Sequence, residues 1–225
     1  MNPSQFMNFA NVSRETLAEF ESYHTIISKW QAKINLISST TVDDIYERHF
    51  ADSAQLFGLL SADDKVVFDL GTGAGFPGLV LALIGRQHGR STMFHLVESD
   101  TRKAAFLIDA ARELRLLGST VRVHAARAER LAAGDLAGQA DCVTARALSA
   151  LTELLNYAHP FLKNDGRCLF LKGVKADDEM AAARSAGWVF TAKATPSRLP
   201  GDGVMLEIHS LSRTPALVAT SARKL

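Results

Sequence analysis

The period of apolar positions changes near residue 65. Before it the spacing is helical: Leu17, Phe20, Tyr23, Ile27, Trp30 and Ile34 recur every three or four positions as one stripe, with Ser13 at the N-cap position. A second helix is expected from Val42 to Leu60, with Asp43, Asp44 and Glu47 in its first turns, where negative charge suits the helix dipole. From Lys65 onward, short β-branched and aromatic runs alternate with amphipathic stretches. They predict strands over 65–70, 93–98, 120–124, 141–146, 167–172, 188–194 and 204–211, and helices over 77–87, 101–117, 149–162 and 175–186. Such alternation builds a mainly parallel sheet covered on both faces. The last two strands are joined by Thr195 to Gly203, which holds two prolines and two glycines and no helical period, so they should pair antiparallel.

Between the first strand and its helix, Gly71, Gly73, Gly75 and Gly78 fall within eight residues, Gly71 to Gly78. Glycines let a loop turn with positive φ and let a ligand lie against bare backbone, so this stretch predicts a cofactor site at the strand's carboxyl end. Gly73-x-Gly75-x-x-Gly78 also satisfies the dinucleotide fingerprint, with Glu98 about twenty residues further on to hold ribose hydroxyls. Asp69 separates the candidates. A carboxylate at the helix N-terminus repels a pyrophosphate but attracts the sulfonium and ammonium groups of S-adenosylmethionine. The methyl donor is therefore expected ahead of NAD, which stays open as the alternative.

Composition adds bounds. The 225 residues, 47% of them hydrophobic, suffice for one sizeable core. The expected organisation is a single unit over 1–225, with a helical extension over 1–60 and a donor-binding core over 65–213. Lys and Arg number 25 against 24 for Asp and Glu, so any nucleic-acid surface must be a local patch. Cys142 and Cys168 lie in apolar runs without metal-ligand spacing, and are expected as reduced core residues. With no basic start followed by an apolar segment and no membrane-length stretch, a cytoplasmic protein is expected. Ser221 to Leu225 reads as a frayed tail.

Seven strands, a glycine loop after the first and an antiparallel pair at the end resemble the class I methyltransferase variant of the Rossmann-like fold. In such sheets the ligand lies above the strand carboxyl ends. The expected site is Asp69, the run Gly71 to Phe76, Glu98 with Ser99, the turn Arg127-Ala128-Glu129, and Arg146.

Several motifs together resemble the RsmG (GidB) family of bacterial ribosomal RNA methyltransferases, over roughly residues 17 to 175. They are Trp30 with Asn35-Leu36, Arg48-His49-x-x-Asp52-Ser53, and Asp69-x-Gly71-Thr72-Gly73-x-Gly75-x-Pro77-Gly78. Glu98-Ser99 with Arg102-Lys103 and Phe106-Leu107, then Arg127-Ala128-Glu129, Arg146-Ala147 and Leu171-Lys172-Gly173, resemble the later blocks. Glu98 replaces the family's more usual Asp, Phe76 its common Leu, and Gly203 an often basic residue. The resemblance implies methyl transfer from S-adenosylmethionine to N7 of one guanosine of 16S rRNA in the decoding-centre region, free or in an assembling small subunit. It also implies donor contacts at Gly71, Phe76, Ala128, Glu129 and Arg146, and an active-site wall containing Arg48 and His49.

The chemistry agrees. Guanine N7 offers a lone pair and has no proton to lose, so its methylation needs positioning and desolvation more than a base. Thr144-Ala145-Arg146-Ala147 replaces the Asn- or Asp-Pro-Pro-aromatic loop of exocyclic-amine methylation, and neither cysteine lies in a loop, as cytosine C5 methylation requires. Arg146, with Arg48 and His49, is expected to position the reactants; its bland alternative is an ion pair to Asp69 or Glu129. Arg48 and Asp52, one turn apart, could equally form an exposed ion pair. Expected RNA contacts are Lys33, Arg48, His49, Lys163, Lys172, Lys175 and Arg198, whereas Arg102, Lys103, Arg112 and Arg115 of the helix expected over 101–117 read as a solvated face. Methylation of a small molecule or protein remains the other alternative.

Overall fold

A computed structural model describes residues 1–214; the tail expected over 221–225 lies outside the described residues. Its centre is one seven-stranded sheet: β1 (Val66–Leu70), β2 (Met93–Glu98), β3 (Val121–Ala125), β4 (Ala140–Arg146), β5 (Leu162–Lys172), β6 (Trp188–Pro196) and β7 (Val204–Arg213), in the order β3-β2-β1-β4-β5-β7-β6. The pairs β1–β2, β2–β3, β1–β4 and β4–β5 are parallel, and β7 runs antiparallel to both β5 and β6. The order reverses beside β1, so β1 and β4 diverge into helices on opposite faces and leave a crevice at their carboxyl ends.

One face is covered by α4 (Gly78–Gln87) and α5 (Thr101–Glu113), the other by α6 (Ala128–Ala132), α7 (Leu151–Ala158) and α8 (Ala176–Ser185). The N-terminal helices α1 (Pro3–Ala10) and α2 (Arg14–Gln31) share the buried cluster of α4, to which they give Phe6, Phe20, Tyr23 and Ile27. The patterning does not anticipate α1. It is started by Asn2 and Gln5 in a reciprocal capping box and by Pro3 in its first turn.

The helix expected over Val42–Leu60 is interrupted. Its path winds as a π-helical turn over Tyr46–Ala51, an α-turn, α3 (Asp52–Ala54), and a 3₁₀ turn over Gln55–Leu59. Packing explains the change of winding: Tyr46 and Phe50 interlock with Phe6, Phe20 and Tyr23, at centroid distances of 5.1–5.9 Å. No described helix is long and apolar enough to cross a membrane.

Candidate functional site

The glycine loop is held from below. Asp69 stands next to the end of β1 beside the start of α4, and it is fully buried. Its Oδ2 accepts the Gly78 N–H at 2.8 Å and its Oδ1 the Thr144 hydroxyl at 3.0 Å. Burial pushes the carboxyl up to about 6, against the hydrogen bonds from Gly78 and Thr144 and the charge of Arg146. Gly75 is required by close approach, since an added Cβ would strike the Tyr23 hydroxyl, which donates to the Ala74 carbonyl. Asp69 and Gly75 therefore shape the loop from inside.

Above the loop, Glu98 accepts the Gly73 N–H on Oε2 at 3.0 Å and the Asp100 N–H on Oε1 at 2.8 Å. Beside it opens a cleft of about 100 Å³, lined by Gly71, Val97, Ser99, residues 126–129, Leu148 and Tyr157. Gly71, Ala128 and Glu129 thus share one cleft. Leu148 was not foreseen, and its side chain lies directly over Gly71, where an added Cβ would collide with it. The signal available was its place in the turn just past the fourth strand.

A larger cavity of about 540 Å³, with Arg146 in its wall, opens between the Tyr46–Leu59 segment, the end of β5 and the loop before β7. Arg146 Nη1 donates to the Arg48 carbonyl at 2.9 Å and lies 3.4 Å from Asp52 Oδ2, while Nη2 donates to His49 Nδ1 at 2.7 Å. The guanidinium and the His49 ring both lie on Phe76, at 4.9 and 5.0 Å, the His49 ring stacked with an interplanar angle of 13°. Burial, with the charges of Arg146 and Arg48, lowers His49 to about 3. Asp52 is raised by burial in spite of Arg146 and Arg48. Lys172 closes the far wall, donating to the Ser149 carbonyl at 3.0 Å and pairing with Glu179 at 2.6 Å.

Five expectations are corrected. Arg48 does not pair with Asp52: in the π-helical turn the Asp52 N–H reaches back to the Glu47 carbonyl, so residues four apart are no longer stacked, and Arg48 is exposed. Asp52 goes to Arg146 instead, which pairs with neither Asp69 nor Glu129. Lys163 is at the wrong end of the sheet, because β5 begins at Leu162, earlier than predicted, and Lys163 pairs with Asp141 near the start of β4. Arg198 turns away, over the ring of Phe9 at 4.3 Å, while its N–H donates to Gln55 Oε1 at 2.6 Å. Lys175 does not line the cavity, whereas Arg48, His49 and Lys172 do.

A family model described as GidB, rRNA small subunit methyltransferase G, matches residues 16–198. The chain belongs to this family. Among GidB relatives, the Ribosomal RNA small subunit methyltransferase G of Rhodospirillum centenum is 46% identical over 209 residues, covering 93% of this chain and 91% of that protein. The protein of the same name from Paramagnetospirillum magneticum is 44% identical, covering 95% and 98%. Solved structures share the GidB chain's fold at low identity. TYW2 of M. jannaschii in complex with AdoMet superposes with a TM-score of 0.53 at 16% identity, over 81% of this chain and 80% of that one. A SAM dependent methyltransferase from Aquifex aeolicus gives 0.53 at 15%, over 84% and 97%. They establish the class I methyltransferase fold.

Proposed function

We propose that this chain methylates N7 of a guanosine in 16S rRNA, in the decoding-centre region, with the base lodged in the cavity of Arg48, His49 and Arg146. Family membership makes it an S-adenosylmethionine-dependent methyltransferase of small-subunit ribosomal RNA. The residues suit that donor. Glu98 stands at the carboxyl end of β2, and Val97, Ala126, Ala128 and Leu148 give the neighbouring cleft apolar walls for an adenine. The start of α4 is already neutralised by Asp69, which leaves no room for the pyrophosphate that NAD would bring. When bound, S-adenosylmethionine supplies an electrophilic methyl group on sulfur.

The chain's own part is to hold and desolvate. The observation that carries the reading is that Arg146 lines a cavity large enough for a nucleobase, two residues before Leu148 of the glycine-loop cleft, with both its terminal nitrogens already fixed. A fixed guanidinium orients a partner without reorganising at the moment of reaction. His49 has both ring nitrogens engaged, by Arg146 and by Thr41 at 2.8 Å, so it positions and does not take a proton. That agrees with N7, which has none to give. The same reading puts the enzyme in the cytoplasm with the assembling subunit.

The test is methyl transfer from labelled donor to 16S rRNA and to small subunits, followed by nucleoside mass spectrometry. N7-methylguanosine at one position is the expected product. Label on another base atom, or on small molecules alone, sinks the reading.

A further inference from the structure

The basic pair Arg102-Lys103 reads in sequence as part of a solvated helix face, and the fold gives it a different setting. α5 starts directly after Glu98, so its first turn stands at the carboxyl edge of the sheet, and the chain leaving α2 passes in front of it. Between them lies a cleft of about 240 Å³, lined by residues 31–35 and by Asp100, Arg102 and Lys103. It holds three cations, Lys33, Arg102 and Lys103, against one carboxylate. That carboxylate is committed: Asp100 Oδ1 accepts the N–H groups of Arg102 and Lys103 at 2.8 and 3.3 Å, and Oδ2 lies 3.4 Å from Arg102 Nη2. Among the described residues, neither Lys33 nor Lys103 forms an ion pair.

The wall behind these cations is rigid. The Trp30 indole N–H donates to Asp109 at 2.8 Å, and Gln31 Oε1 accepts the N–H groups of Leu36 and Ile37 at 2.9 and 3.1 Å. The loop so fixed continues to Ser38 and Thr41, which line the cavity of His49 and Arg146. One stretch of chain, residues 32–41, therefore borders both the basic cleft and the cavity for the base.

We propose that this cleft binds the phosphodiester backbone of the substrate RNA beside the target nucleotide, an assignment that rests on the RNA reading above. Lysines on flexible stems and one exposed arginine hold anionic oxygens without reading base edges, so they fix register and orientation. Continuity with the cavity favours a strand over an isolated anion: a nucleotide seated at Arg146 has its neighbours directed along the loop. An acidic peptide satisfies the charge but not that continuity.

The experiment compares the triple variant Lys33→Gln, Arg102→Gln, Lys103→Gln with wild type and with Arg112→Gln, Arg115→Gln, two exposed positions at the far end of α5 and just beyond it. Binding to 16S rRNA is followed through a salt series, alongside steady-state methylation and calorimetry with the donor. Because each phosphate contact on a single strand contributes about 0.7 to the slope of log affinity against log salt, the triple variant should lose about two from that slope. Its KM for rRNA should rise by about tenfold or more, with kcat and donor affinity unchanged, while the control pair behaves as wild type. A wild-type slope and KM in the triple variant overturn the cleft's role. So does a loss of donor affinity, or weakened binding to polyglutamate with rRNA binding intact. Wild-type enzyme that methylates no ribosomal RNA overturns the functional reading instead, a separable result.

Discussion

Arg146 Nη2 lies 2.7 Å from Nδ1 of His49, and a guanidinium can only donate, so Nδ1 carries a lone pair. The imidazole proton is then on Nε2, where it is given to the Thr41 hydroxyl, whose own proton goes to the Ser38 carbonyl at 3.0 Å. Every bond in this chain runs in one direction, from the end of β4 to the loop after α2. His49 is thus a positioning residue for Arg146, clamped on Phe76.

Replacing His49 by Phe keeps a ring on Phe76 and deletes the acceptor. Because a misplacement of about 1 Å can cost about a hundredfold in rate, kcat should fall by about ten- to a hundredfold, with donor affinity unchanged. His49→Gln, whose amide oxygen can accept from Arg146, should recover part of the loss. Equal damage from both variants, or a collapse of donor binding measured by calorimetry, would refute the positioning role.

The pH dependence follows from the same burial. With His49 lowered to about 3, the rate should show no inflection near 6.5. Asp69, raised to about 6, takes up a proton as pH falls through that value, and its hold on Gly78 weakens. Donor affinity should therefore decline below about pH 6, and that acid limb should vanish in Asp69→Asn. Calorimetric titration of the donor from pH 5 to 8 checks this, and an acid limb that persists in Asp69→Asn would contradict the assignment.

Stability should also weaken in acid. His49 and His95 are held neutral, His95 lowered to about 4 first by burial and then by His124 and Arg122. The unfolded chain binds their protons below about 6.5 and the folded chain does not, so the stability they contribute is complete above 6.5 and lost as pH falls toward 4. Asp69 and Asp52 act with the opposite sign, since their folded carboxyls protonate first, but His124 is lowered by burial as well, so three histidines oppose two carboxyls. The thermal midpoint should drop between pH 7 and pH 5, and drop less in His95→Asn. An unchanged midpoint over that interval would defeat the argument.

What the sequence revealed and what it hid have physical reasons. The strands were legible because each is bounded by a glycine, a proline or a helix cap, and the antiparallel end because no helix separates β6 from β7. The Asp69–Gly78 stretch was legible as a ligand loop, but the enclosure of Asp69 depends on Thr144, seventy-five positions away. The π-helical turn was hidden: it answers aromatic packing from α1 and α2, which no local period records. That single change of winding redirects Asp52 from Arg48 to Arg146 and so builds the cavity wall.

Gly71 and Leu148 give the sharpest test of how the two clefts meet. Gly71 has φ +63° and lies under the Leu148 side chain, which is itself carried past Ala147 at φ +48°. An alanine at position 71 meets two penalties, the left-handed backbone, which costs roughly 1–2 kcal/mol, and collision with Leu148. Gly71→Ala should therefore destabilise by at least about 1 kcal/mol and weaken donor binding. Leu148→Ala removes only the collision. In the double variant the backbone penalty persists while the steric one goes, so a denaturation cycle should show coupling above about 0.5 kcal/mol, and donor affinity should partly return. If the two effects simply add, Leu148 does not close on Gly71 in solution, and the narrowness of the donor cleft must come from the turn Arg127-Ala128-Glu129.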